Sequence, residues 1–121
     1  MADRVLFISW GQTVPGREER GLEVFNEALG ILGRMQQQSK IESFNTVLLD
    51  PNGTLDGYIE IRGSAQQIAA LRQDDDFRRN TVDASLIVSD LCHAEGVCDK
   101  GVEREITRYQ EAMGKVPQMT G

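Results

Sequence analysis

KIESFNTVLLDPNGTLDGYIEIRGS, residues 40–64, decides the fold. Two extended stretches flank Asp50-Pro51-Asn52-Gly53. Pro51 fixes its own φ, and Asn52 and Gly53 accept the left-handed backbone of a tight turn, so the stretch reads as a β-hairpin. After the turn, residues 55–62 alternate. Leu55, Gly57, Ile59 and Ile61 share one face, and Asp56, Tyr58, Glu60 and Arg62 share the other. Before the turn, over 41–50, the two sets are Ile41, Ser43, Asn45, Val47 and Leu49 against Glu42, Phe44, Thr46 and Leu48. Neither of those sets is wholly polar.

Upstream, residues 5–10 (VLFISW) read as a strand that is apolar on both faces. GQTVPG ends it, and Pro15 is expected in the first turn of a helix over 16–38. Leu22, Phe25, Leu29, Leu32 and Met35 recur there at helical spacing, with Val24, Ala28 and Ile31 widening the stripe. Gly21, Gly30 and Gly33 each cost the helix roughly 1 kcal/mol relative to alanine. The last two are expected to permit close packing on a sheet. Downstream, Ser64 and Gln67 form a capping-box pair, and Ile68, Ala69, Leu71 and Phe77 supply an apolar helix face. The aspartates at 74–76 predict a kink or a second helix start, because carboxylates favour helix N-termini. A fourth strand is expected over 86–94, a turn between Gly96 and Gly101, and a polar helix over 102–115 striped by Ile106, Tyr109 and Met113. Residues 117–121 read as a frayed tail.

The order is β-α-β-β-α-β plus a C-terminal helix. The expected fold is α+β and ferredoxin-like: a four-stranded antiparallel sheet, two helices on one face and an extra C-terminal helix, in one domain over 1–121. The 121 residues suit one core. The net charge of −6 argues against nucleic acid and anionic membranes as partners. No apolar run approaches a bilayer span, no signal peptide is seen, and two cysteines are too few for a disulfide framework. A cytoplasmic location is expected. Two helices leave one sheet face open, and its mixed character suits an interface or a cavity. A two-fold homodimer is the commonest way to cover such a face.

VLFISWG, the helix over 16–38, the KIESF…LLDPNGTLDGYIEIRGS hairpin and ALRQDDDFRRNTVDASLIVSD together resemble the dimeric α/β-barrel superfamily of ferredoxin-like proteins, in a bacterial branch. The likeness is one of element order and spans about the whole chain. It implies two sheets packed face to face around a space that often holds a small organic ligand. Members include cofactor-independent quinone-forming monooxygenases, muconolactone isomerases, haem-degrading enzymes and chlorite dismutases. The fold alone does not choose among them.

DLCHAEGVC, residues 90–98, holds the only histidine. Cys92 and His93 are strand neighbours and point to opposite faces, and the Cys-His-x4-Cys spacing matches no standard zinc pattern, so no metal is expected. Haem-using members of the superfamily draw a histidine from a helix, whereas His93 reads as strand, so no cofactor is expected. His93 has the intrinsic pKa of a general base. The plainer alternative is a strand histidine with one hydrogen bond to backbone. Acidic neighbours oppose thiolate formation at Cys92 and Cys98. Tyr58, Glu60 and Arg62 line the polar stripe of the third strand: Tyr58 for a ring, Arg62 for a carboxylate or phenolate, Glu60 for a proton. Charge pairing across a solvated face is their plainer reading. Trp10 and Phe44 are further ligand-binding candidates. The catalytic candidates are thus His93, Tyr58 and Glu60, and the binding candidates Tyr58, Arg62, Trp10 and Phe44. Three functions fit: a homodimer binding a small organic molecule between its sheets, a cofactor-independent monooxygenase or isomerase acting on a phenolic or lactone substrate, and an interaction subunit without a pocket.

Overall fold

The computed structural model describes residues 2–117 and 119. The elements run β1 (Arg4–Trp10), α1 (Glu18–Gln37), β2 (Ser43–Leu48), β3 (Gly57–Gly63), α2 (Ala65–Gln73), α3 (Asp75–Ser85), β4 (Cys92–Val97) and α4 (Lys100–Met113). The strands form one sheet in the order β2-β3-β1-β4, with every neighbouring pair antiparallel. This is the ferredoxin-like plan expected from the sequence. The expected tail falls partly, at 118, 120 and 121, outside the described residues.

Register sorts the side chains. Leu6 lies opposite Ile61, and Ile8 opposite Ile59 on one side and His93 on the other. These residues share the face that the helices cover. Leu6, Ile61 and Ile68 are fully buried, and Ile31, Leu32 and Met35 of α1, Leu71 of α2 and Phe77 of α3 complete the core. Burying such side chains stabilises by about 1.5–3 kcal/mol each. The opposite face carries Val5, Phe7 and Ser9 of β1 with Tyr58, Glu60 and Arg62 of β3, and Phe7 and Tyr58 stack at 5.2 Å between ring centroids. Among the described residues, no helix covers that face.

Several local expectations hold. Ser64 and Gln67 make a reciprocal capping box. The aspartate run does split the second helical segment: Asp74 ends α2, and its side chain accepts from the Phe77 amide to start α3. The helix layer therefore holds three helices rather than two.

Others are corrected. The 50–53 turn is part of a longer loop over 49–56, closed by the Leu49 amide on the Asp56 carbonyl. The Asn52 side chain ties that loop, donating to the Asp50 and Leu55 carbonyls and accepting from the Thr54 and Leu55 amides. Only Gly53 takes the left-handed conformation there, at φ 80°. Pro15 lies in a turn before α1, not in its first turn. The fourth strand starts at Cys92, and Gly96 is inside it. Residues 87–89 instead bond to 11–14 through a single Thr13–Val88 bridge, and Asp90 at φ 54° separates them from β4. Gly30 and Gly33 face open space, with nothing within 4 Å of an added Cβ, so neither serves close packing.

The two glycines then cost helix stability with no packing return. Gly30→Ala and Gly33→Ala are each expected to stabilise by about 0.5–1 kcal/mol in urea unfolding. Gly21→Ala, which would crowd Ile87 and Thr13 at 3.2 and 3.3 Å, is expected to gain less.

Candidate functional site

A cavity of about 870 Å³ opens between the helix-covered face of the sheet and helices α1 and α3. It sits where β1 ends, β2 ends and β4 begins. Ile8, Ile59 and His93 line it from the sheet, Val24, Phe25 and Ala28 from α1, and Phe77, Thr81 and Ala84 from α3. Leu22, Leu48 and Leu49 also line it, and they are 65%, 66% and 38% exposed, which makes an apolar rim. The loop over 49–56 contributes Pro51, Asn52, Gly53 and Asp56.

Two local features keep the space open. The Trp10 indole lies over Gly57, where an added Cβ would come within 2.8 Å of the ring and 2.7 Å of the Val47 carbonyl oxygen. Trp10 also meets Phe25 at 5.9 Å between ring centroids. Meanwhile α1 and α3 hold one another: Asn80 donates to the Val24 carbonyl at 3.0 Å, and Arg20 pairs with Asp83 at 3.2 Å.

His93 is the ionisable group that β4 presents to this space. Its register partner is Ile8, so it lies on the helix side, half-buried and 5.9 Å from the Phe77 ring centroid. No backbone or side-chain group among the described residues hydrogen-bonds its ring, contrary to the backbone bond expected. The other polar walls are partly committed: Asn80 to Val24, and the Thr81 hydroxyl to the Phe77 carbonyl at 3.0 Å. Burial, and secondarily the Arg72 guanidinium, hold the His93 pKa below its ordinary value. A neutral imidazole offers one donor and one acceptor.

The sheet divides the sequence-derived candidates. His93, Trp10 and Phe44 lie on the helix side, and Tyr58, Glu60 and Arg62 on the open side. Trp10 and His93 line the cavity; Phe44 packs against the core instead. The trio His93, Tyr58 and Glu60 therefore does not assemble within one chain. Arg62 bonds Asp99 at 3.2 Å and lies 4.0 Å from Glu60, so the expected compensation runs mainly through Asp99. Cys92 is exposed and Cys98 is buried, and both are free. Burial first, then Asp99, pushes the Cys98 thiol pKa up, which keeps it protonated. Among the described residues no group of three or more His, Cys, Asp or Glu could hold a metal ion, and no helix is long and apolar enough to cross a membrane. Sequence reading missed the α3 wall, Thr81 and Ala84. The signal was the helical spacing of 77, 81 and 84, which puts Thr81 and Ala84 on the face of Phe77.

The lowered pKa has a consequence for stability. Between the folded and unfolded values the unfolded chain binds more protons at His93, so stability falls as the pH drops below the ordinary 6.5. Replacing His93 by leucine should remove that component: the loss of urea resistance between about pH 7.5 and about pH 5.5 should be smaller than in the wild type.

No protein-family model matches the chain, and no curated protein matches it significantly. Solved structures do. A dimeric protein of unknown function and ferredoxin-like fold from Bacteroides fragilis NCTC 9343 is 11% identical, with a TM-score of 0.59 over 78% of this chain and 96% of its own. A proposed antibiotic biosynthesis monooxygenase from Chloroflexus aurantiacus J-10-fl is 14% identical, with a TM-score of 0.54 over 79% and 93%. A cofactor-independent oxygenase from Streptomyces nogalater is 15% identical, with a TM-score of 0.50 over 81% and 93%. At such identities the likeness carries the fold alone: the chain has the ferredoxin-like α+β fold.

Proposed function

We propose that the protein is a homodimer in which each copy binds a small, mainly apolar organic molecule in the cavity between its sheet and helices. The observation that carries this reading is the cavity itself, with a half-buried His93 whose ring no group among the described residues hydrogen-bonds. A volume of about 870 Å³ falls in the range of small-molecule sites. Apolar walls supply affinity, and His93 supplies the one directional contact. Glu18 and Asp56 among the lining residues disfavour an anionic ligand. The sequence placed the ligand between two sheets; the geometry supports the helix side. The open sheet face, with Phe7 and Tyr58 stacked on it, is then the surface for the second copy.

A second reading has its own support. A histidine kept neutral in an apolar cavity is suited to take a proton from a phenolic hydroxyl. Cofactor-independent oxygenation or isomerisation of a phenolic or lactone substrate would begin there, with Tyr58 and Glu60 outside the site. An interaction subunit without a pocket gains nothing from this geometry.

The lone Trp10 in the cavity wall makes the test direct. Titration with 1-naphthol, a neutral phenol, is expected to quench Trp10 fluorescence saturably. Ala28→Phe should weaken that binding by occluding the space. His93→Phe should weaken it by about 3- to 10-fold, the worth of one hydrogen bond. Native mass spectrometry of protein purified without added ligand should show a dimer. No quenching, or quenching indifferent to Ala28→Phe, would sink the cavity reading, and a monomer would sink the dimer.

A further inference from the structure

The cavity is electrically lopsided. Glu18 and Asp56 line it, and no lysine or arginine is among its described lining residues. Both carboxylate residues are exposed, so they belong to the rim. Glu18 is the first residue of α1, and Leu22 and Phe25 follow it at helical spacing on the same face. Phe25 in turn meets the Trp10 indole. Asp56 approaches that ring pair from the sheet: its amide donates to the Trp10 carbonyl at 2.9 Å, and the next residue, Gly57, lies beneath the indole. One carboxylate from the helix and one from the sheet thus stand beside a single aromatic pair.

The amides of Glu18 itself and of Gly16 bond the Glu18 carboxylate and hold its pKa below the ordinary value, so it is ionised at neutral pH. The Asp56 side chain makes no hydrogen bond or ion pair among the described residues, and its acceptor sites stay open to solvent or to a ligand. The region around His93 differs. Register sets Ile59, Ile8 and His93 side by side across β3, β1 and β4, and pairs Gly57 with Trp10 two residues further along. At about 3.4 Å per residue and about 4.8 Å per strand, the backbone of Gly57 is about 12 Å from that of His93. Beside His93 the Arg72 guanidinium pairs with Glu95 at 3.2 Å, so no net negative charge gathers there. The negative field belongs to the rim.

An ammonium group gains from carboxylates and from aromatic faces at once. A bare metal ion has no comparable home, since no group of three or more His, Cys, Asp or Glu among the described residues could hold one. Resting on the cavity reading above, we propose that the ligand is a cationic amphiphile: a protonated amine on an apolar, ring-bearing body, with the ammonium at the rim between Glu18 and Asp56, beside Trp10 and Phe25, and the body reaching towards His93. The charged head stays in contact with water, so binding does not require its full desolvation.

Calorimetric titration compares three probes with one naphthyl body: naphthylethylamine, protonated at neutral pH, naphthylethanol and naphthylacetate. The wild type is expected to bind the amine about 3- to 10-fold more tightly than the alcohol, and the acetate most weakly. Added salt should shrink that preference, because exposed charges are screened. In Glu18→Gln/Asp56→Asn the amine-to-alcohol ratio of affinities should fall towards one. Glu19→Gln/Asp50→Asn removes the same charge from exposed positions nearby in sequence but outside the cavity lining, and should keep the wild-type ratio. Urea midpoints check that each variant folds. If the alcohol binds the wild type as tightly as the amine, the cationic class is overturned and the cavity reading stands. If the two double variants behave alike, the preference comes from net charge and the assignment to Glu18 and Asp56 is overturned. If none of the three probes binds, the cavity reading falls and takes this one with it.

Discussion

The structure hangs on the position of β1 between β3 and β4. Residues Arg4–Ser9 of that strand are held from both sides in fixed register, so their alternation is copied outward across the sheet. Leu6 and Ile8 commit Ile61, Ile59 and His93 to the helix side; Phe7 and Ser9 commit Glu60, Tyr58, Ala94 and Cys92 to the other. A slip of one residue against β4 would exchange these faces, bringing Cys92 to the cavity and removing His93. The burial of Leu6 and Ile8 makes such a slip costly. Register here fixes chemistry as well as packing.

The cavity follows from what the helices cannot do. They pack tightly at one end, where Leu32, Ile68 and Leu71 meet Leu6 and Ile61. At the other end the sheet offers Gly57 under an indole, and the helices offer Ala28 and Ala84. Small residues in both layers leave volume that no side chain fills. Of the contacts holding α1 to α3 around it, the partly buried Asn80 bond counts for more than the exposed Arg20–Asp83 pair, since exposed ion pairs are worth little.

Much of this could be read from the chain, because period-two and period-3.6 patterns are local. The alternation at 57–62 placed Ile59 and Ile61 inside correctly, and Ser64 and Asp74 announced helix starts. What could not be read depended on distant contacts. Residues 86–89 are apolar and β-branched enough to look like a strand, yet they bond back to Asp83 and Ala84 at the end of α3 and otherwise to Arg17 and the segment 11–14. Trp10 and His93 were singled out as site candidates from residue type alone, but that they share a cavity, and that Tyr58 and Glu60 lie behind the sheet, needed the register of three strands. The faces of Gly30 and Gly33 were misjudged because a helical period does not say which glycines turn toward the sheet.

Asp74 ends one helix and begins the next, so α3 is not a continuation of α2. A single long helix spanning both would be a lever: any shift of the cavity wall would be transmitted to Ile68 and Leu71 and resisted by the whole core. The break uncouples them. α3 is held instead by Phe77 in the core and by the Asn80 bond to Val24 of α1, while α2 is held on the sheet through Ile68 and Leu71. A change in α3 therefore reaches the cavity wall directly, through Thr81 and Ala84, whereas a change in α2 reaches the core beneath β1 and β3. The wall and the core can thus be altered by different substitutions.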